Sequence, residues 1–144
     1  MPETSEARKR LSTSPSRSHV VAAAETRIRH GEATRLAPRE ARRILARHFS
    51  ASEIEGIVAP PRTFARRLAQ NEKLTVEESE RALRLARIGN MADRVFGNEE
   101  KAGRWLRDPN PVFNGQRPLD ILITETGGRA VETLLGQIEH GIFI

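Results

Sequence analysis

Residues Leu74 to Gly97 read L-T-V-E-E-S-E-R-A-L-R-L-A-R-I-G-N-M-A-D-R-V-F-G, and this stretch decides the fold. Thr75 and Glu78 stand three apart. That spacing lets the threonine hydroxyl take the amide of the third helical residue while the glutamate reaches back to the threonine amide, a capping box. It predicts a long helix running to about Phe96. Ala82, Leu85, Ala86, Gly89, Val95 and Phe96 are available for burial, and Gly97 stops it.

The punctuation on both sides is also helical. Pro38 suits a first helical position, where no amide hydrogen is needed. Ala41, Ile44, Leu45 and His48 follow on one face, with His48 expected as a partly buried helix residue. Ser50 and Glu53 make another capping box, flanked by Phe49 and Ile54 at the positions of a hydrophobic staple. That helix is short and ends by Pro60-Pro61. A third, from about Pro61 to Gln70, carries Phe64 and Leu68 inward and Arg62, Arg66 and Arg67 outward.

Downstream, Asn98 caps a helix with Glu99 and Glu100 at its positive end and Ala102, Trp105 and Leu106 inside. Trp105 reads as core rather than as an interface anchor. Asn110-Pro111 and Asn114-Gly115 mark a loop. Pro118 starts a short helix, Leu119 to Ile123, in which Asp120 has a local role. The last helix runs from about Gly127 to His140 with Ala130, Val131, Leu134, Leu135 and Ile138 as its apolar stripe. Gly141 follows as a left-handed terminator. No internal repeat or strand pair appears, so the expected class is all-α. Val20 to His30 stays open between a helix closed by Gly31 and a short strand.

The chain has 144 residues and a net charge of +5, unevenly spread. From Pro118 to Ile144 four acids face one base, Arg129, so that segment is −3 and the rest is +8. A basic body suits phosphate backbones; an acidic, apolar end suits a different partner. The absence of cysteine excludes disulfides and thiolate metal sites. The histidines lack metal-ligand spacing, so no metal site is expected. No apolar run approaches a membrane span, and Pro2 to Ser18 is polar, so a cytoplasmic protein with no membrane partner is expected. No P-loop, dinucleotide fingerprint, zinc-protease or nucleophile-elbow motif occurs. The expectation is therefore no enzyme, no catalytic residue and no cofactor.

Three short helices between Pro38 and Gln70 have the layout of a helix-turn-helix, the third being the reader. Arg62, Thr63, Arg66 and Arg67 are its candidate DNA contacts, with Lys73 and Arg43 reaching the backbone. The plain alternative is a helix pair with an ordinary basic surface. A reader of this kind implies a homodimer, because two reading helices must stand ~34 Å apart to enter successive major grooves.

The block from Leu74 to Gly141 resembles the C-terminal half of Xre/MbcA/ParS-type antitoxins, partners of RES-domain toxins. The resemblance is carried by Leu74-Thr75-x-x-Glu78-Ser79-Glu80-Arg81, Ala86-Arg87-Ile88, Ala92 and Val95-Phe96-Gly97. It continues through Lys101-Ala102-x-x-Trp105-Leu106, Pro109-Asn110, Gly115-x-x-Pro118-Leu119-Asp120-Ile121-Leu122, Thr124-Glu125-x-Gly127, Val131 and Gly141. Pro38 to Gln70 is similar to the family's Xre-like helix-turn-helix. His140 stands where the family often has an aromatic residue, and Pro60-Pro61 replaces a more ordinary turn.

The resemblance implies an antitoxin that silences a co-encoded, NAD-degrading RES toxin and, in a higher complex with it, represses its own operator DNA. It also implies that the chain's end reaches the toxin's NAD pocket. That carries over to His140, Gly141, Ile142, Phe143 and Ile144, and to the helix face of Arg129, Glu132 and Gln137. Covering Ile142 and Phe143 would contribute about 1.5–3 kcal/mol each, and the Ile144 carboxylate could meet a pyrophosphate-binding arginine. The alternative is that Gly141 to Ile144 folds back on its own core. The implied organisation is a basic tail and possible first helix over 1–30, a helix-turn-helix module over 31–74, and a toxin-binding module with a plug over 75–144. A stand-alone transcription regulator and a ParS-like adaptor for another protein are the rival readings.

Overall fold

The computed structural model describes residues 16–29 and 34–141. Among these the regular elements are α1 (Arg17–Arg29), α2 (Pro38–Leu45), α3 (Ala51–Ile57), α4 (Pro61–Ala69), α5 (Val76–Phe96), α6 (Glu99–Arg107), α7 (Pro118–Ile121) and α8 (Glu125–Glu139), with a 3-10 turn at Pro111–Phe113. The described residues are all-α, as expected. None of these helices is long and apolar enough to cross a membrane.

The long helix is the spine. Its capping box forms as predicted: Glu78 N–H donates to Thr75 Oγ1 at 3.1 Å and Thr75 N–H donates to the Glu78 carboxylate at 2.8 Å. Gly97, at φ +83°, ends it in a conformation that costs glycine nothing. Helices α1, α2, α6 and α8 all pack on α5, while α3 and α4 pack on each other and on α2. Leu83, Leu85 and Ile88 of α5 are fully buried with Leu45, Ile54, Phe64, Leu106 and Leu135. Burial of side chains of this size stabilises by roughly 1.5–3 kcal/mol each.

Local differences from the expectations have identifiable causes. The open segment is a helix, α1, which buries Val21 and Ala24; Gly31 lies outside the described residues. Helix α7 ends at Ile121, two residues short of Ile123, because Thr124 is extended and caps α8 instead. Its hydroxyl accepts the Gly127 N–H at 3.0 Å, so α8 starts at Glu125 rather than Gly127. The predicted stripe of α8 is only partly covered. Val131 and Leu135 are buried against α5 beside Gly128, Leu134 and Ile138 are half-buried, and Ala130 is exposed. Trp105 is half-buried and tilts 33° to Phe96 at 5.4 Å, a satellite of the core rather than its centre. His48 lies in the turn after α2, not in a helix.

The α7–α8 corner is tight. A Cβ on Gly127 would sit 1.8 Å from the Ile121 carbonyl oxygen, which a backbone atom cannot vacate cheaply. Gly127→Ala should therefore destabilise the protein by about 1–3 kcal/mol in urea denaturation. An unchanged midpoint would mean that the corner relaxes freely.

Candidate nucleic-acid and protein interfaces

Helix α4 opens with Pro60 at its N-cap and Pro61 at its first position. Neither has an amide hydrogen, so two of the helix-end donors that often grip a phosphate are missing. What α4 offers outward is side chains. Arg62, Ala65, Arg66 and Ala69 are exposed, and their i, i+3, i+4, i+7 spacing puts them on one face. Thr63 is half-buried beside them, and Phe64 anchors the opposite face at 0% exposure. Lys73 is exposed and Arg43 half-buried. Among the described residues none of Arg62, Arg66, Lys73 or Arg43 is held in an ion pair.

Arg67 is a correction. It was expected outward with Arg62 and Arg66, but it is buried. Its guanidinium meets Glu78 at 2.9 Å and Glu72 at 2.7 Å. Position 67 follows Phe64 and precedes the turn to α5, so the side chain falls toward the α5 N-terminus, where the capping glutamate supplies an acceptor. Arg67 ties α4 to the spine and is not on its outer face.

The other end of the molecule has the opposite character. Arg129 is exposed and paired with Glu125 at 2.6 Å, one helical turn away. Glu132 is half-buried and takes Arg87 of α5 at 3.2 Å. Gln137 is half-buried, His140 is the exposed C-cap of α8, and Gly141 turns the chain with φ +69°. Ile142, Phe143 and Ile144 lie outside the described residues. Asp120 has the local role expected of it, closing on Arg117 at 2.6 Å, and the hydrogen bond from Arg117 holds its carboxyl below the usual carboxylate range.

Sequence reasoning missed the contacts that join the two ends. The turn between α2 and α3 is held from the C-terminal side at three points. Arg47 reaches Glu99 at 2.6 Å and Asp93 at 3.4 Å. His48 Nε2 donates to Asp93 Oδ2 at 2.7 Å, its ring packed over Gly89, where a Cβ would come within 2.6 Å. Arg107 at the end of α6 grips Glu53, the capping residue of α3, with its NH2 group at 2.7 Å and Nε at 3.1 Å. Partners 45 to 59 positions apart leave no local spacing signal.

Burial pushes the Glu53 carboxyl up, but hydrogen bonds from Arg107 and the Ser50 backbone outweigh it and hold the group below its ordinary 4.5. A depressed carboxyl stabilises the fold above its unfolded value and loses that contribution as pH falls through the folded one. Removing Arg107 should thus open a stability gap to the parent that is constant from neutral pH to about pH 5 and narrows below about pH 4.5, leaving the share that its bonds to the His48 and Gly103 carbonyls contribute. Urea midpoints of Arg107→Gln across that range measure it. A gap of unchanged size in acid would mean that the charge of Glu53 adds nothing to the contact.

Comparison with known proteins divides the chain along these lines. Residues 26–87 match the antitoxin Xre-like helix-turn-helix domain, and residues 91–141 match the antitoxin Xre/MbcA/ParS C-terminal toxin-binding domain. The chain is 43% identical over 84 residues to Antitoxin Xre of Pseudomonas putida, covering 58% of this chain and 53% of that one. It is 38% identical over 85 residues to Antitoxin Xre of Yersinia enterocolitica, covering 58% and 57%. It is 37% identical over 90 residues to the Prs ADP-ribosylating antitoxin of a Sphingobium species, covering 56% and 57%. The chain spans about half the length of the curated relatives it matches.

Proposed function

We propose that the chain, whose two halves match the antitoxin Xre-like helix-turn-helix and the Xre/MbcA/ParS toxin-binding domains, is an antitoxin of that type and neutralises a co-encoded RES-domain toxin by covering that toxin's NAD-binding site. In the same complex its helix-turn-helix half holds operator DNA and represses the operon. Inhibition is steric and electrostatic, and the chain performs no catalysis of its own. The protein acts as a homodimer, each copy presenting one α4 to one operator half-site.

One observation carries this reading: the two ends of the fold differ in charge and in the side chains they expose. The unpaired arginines and Lys73 lie around α4, whereas Pro118 to Ile144 is acidic and ends in Ile142-Phe143-Ile144. On α8, which precedes that apolar end in the sequence, the side chains of Leu134 and Ile138 remain half-covered and Ala130 open. Arg129, Glu132 and Gln137 complete the face offered to the toxin. For DNA, Arg62 and Arg66 read bases, Thr63 meets a phosphate or a thymine methyl, and Lys73 and Arg43 hold the backbone. One relative's name concerns ADP-ribosylation, a reaction whose ADP-ribose comes from NAD, which supports a NAD-handling partner.

The test is co-expression with the protein encoded beside it, which this reading expects to carry a RES domain. The antitoxin reading expects growth and cellular NAD to be restored and the two chains to purify together. DNA binding with no such partner would leave a stand-alone regulator, and capture of a different protein would leave an adaptor.

A further inference from the structure

We infer that Arg107 is a positioning residue for DNA reading: α6 of the toxin-binding domain clamps the N-terminus of α3 and thereby sets how the α3–α4 pair faces the operator. The inference rests on the operator-binding reading above.

A capping box is normally complete within four residues. Here Ser50 N–H donates to Glu53 Oε1 at 2.8 Å and Glu53 N–H donates to Ser50 Oγ at 3.2 Å, so local needs are met. Arg107 nevertheless adds a forked pair of bonds to both oxygens of the same carboxylate. Its NH2 group also donates to the His48 carbonyl at 3.0 Å, and NH1 donates to Gly103 in its own helix at 3.1 Å. All three guanidinium nitrogens are thus engaged, with the head oriented from behind by α6. A two-pronged arginine–carboxylate pair fixes direction as well as distance, which a lysine cannot reproduce.

The location gives the clamp its meaning. Helix α4, which bears Arg62 and Arg66, packs on α3 and α2. The α3–α4 pair is held to α5 at one end by Arg67 on Glu78 and by Arg81 on the Val58 carbonyl at 3.0 Å. Those ties lie within the helix-turn-helix match. Arg107 holds the other end and comes from the toxin-binding match. With two ends fixed, the reading face cannot pivot about Arg67. Base contacts need register, whereas phosphate contacts tolerate small rotations.

The experiment measures binding of the full chain to a labelled duplex of its own promoter region and to an unrelated duplex, over a salt series. Arg107→Gln, Glu53→Gln (which keeps a side chain able to complete the capping box) and the double variant are compared. Helicity is checked by circular dichroism, and Arg107→Lys serves if the glutamine variant fails to fold. Each single variant should lose roughly tenfold in promoter affinity, the double no more than either. The unrelated duplex and the slope against salt should stay as in the parent, since no phosphate contact is lost. Arg107→Lys should lie between. Parent-like promoter affinity in folded variants would overturn the inference. So would a slope reduced by about 0.9, because Arg107 would then touch DNA itself. If the parent shows no preference for its promoter, it is the operator-binding reading that fails.

Discussion

A chain shortened to His140 should fold as the full protein does and yet fail to protect cells from the toxin. Gly141 follows α8, and its left-handed φ of +69° ends the helix without contributing to the core. Among the described residues every buried core side chain lies at or before Leu135, so removing Gly141 to Ile144 should leave helicity and thermal midpoint near those of the parent. Binding should fall sharply. Uncovering Ile142 and Phe143 forfeits about 1.5–3 kcal/mol each, or about 3–6 kcal/mol together, roughly two to four decades in affinity. Calorimetry against the purified toxin, with growth and cellular NAD as the in vivo readout, measures this. Full protection by the shortened chain would place inhibition on the α8 face instead. Replacing Leu134 and Ile138 by serine, which are only half-buried, would then be the variant that releases the toxin.

The second large effect concerns α4. Arg62→Ala with Arg66→Ala should remove specific operator binding. Both side chains are exposed one turn apart on the same face, and neither is paired within the described residues, so their loss costs the fold little. A bidentate arginine–guanine contact is worth about 1–3 kcal/mol of base discrimination. The double variant should lose on the order of 2–6 kcal/mol of specificity, and its preference over unrelated DNA with it. The salt series separates the roles, because each arginine that meets a phosphate lowers the slope by about 0.9 while each that reads a base leaves it nearly unchanged. Undiminished operator binding would show that α4 is not the reader. Arg67 is unsuitable for this test. Truncating it strands Glu78 without its buried partner, and the resulting instability would pass for lost DNA contact.

The helices were legible where their signals are local. Thr75–Glu78, Ser50–Glu53, Asn98, Gly97 and Gly141 each act within a few residues, and each could be read directly from the sequence. Errors arose where a distant neighbour decided the outcome. Arg67 stands three residues after Phe64 and so shares its inward face, but only the folded chain brings up the acidic N-terminus of α5 that gives a buried guanidinium its partners. Ala130 belongs to the apolar stripe of α8 by periodicity, but α5 covers a narrower face than that stripe. The same limit applies to the candidate sites. The exposure of Arg62 and Arg66 could be anticipated because a short helix shows its outer face at its own spacing. The clamp of Arg47, His48 and Arg107 could not, because its acceptors lie across the fold.

The boundary between the two matched domains falls inside one helix. The helix-turn-helix match ends at residue 87 and the toxin-binding match starts at residue 91, both inside α5. That helix is 21 residues long, a rod of about 32 Å at 1.5 Å per residue. It has no linker at which the two halves could be cut, lengthened or exchanged. Recombination that brought in a new toxin-binding half would have to cross within a turn of helix and keep Asp93, Glu99 and Arg107 in phase with the turn they hold. On the proposed roles, operator preference and toxin preference would be inherited as one unit, and point substitution on an outer face would change either of them more readily than a domain swap.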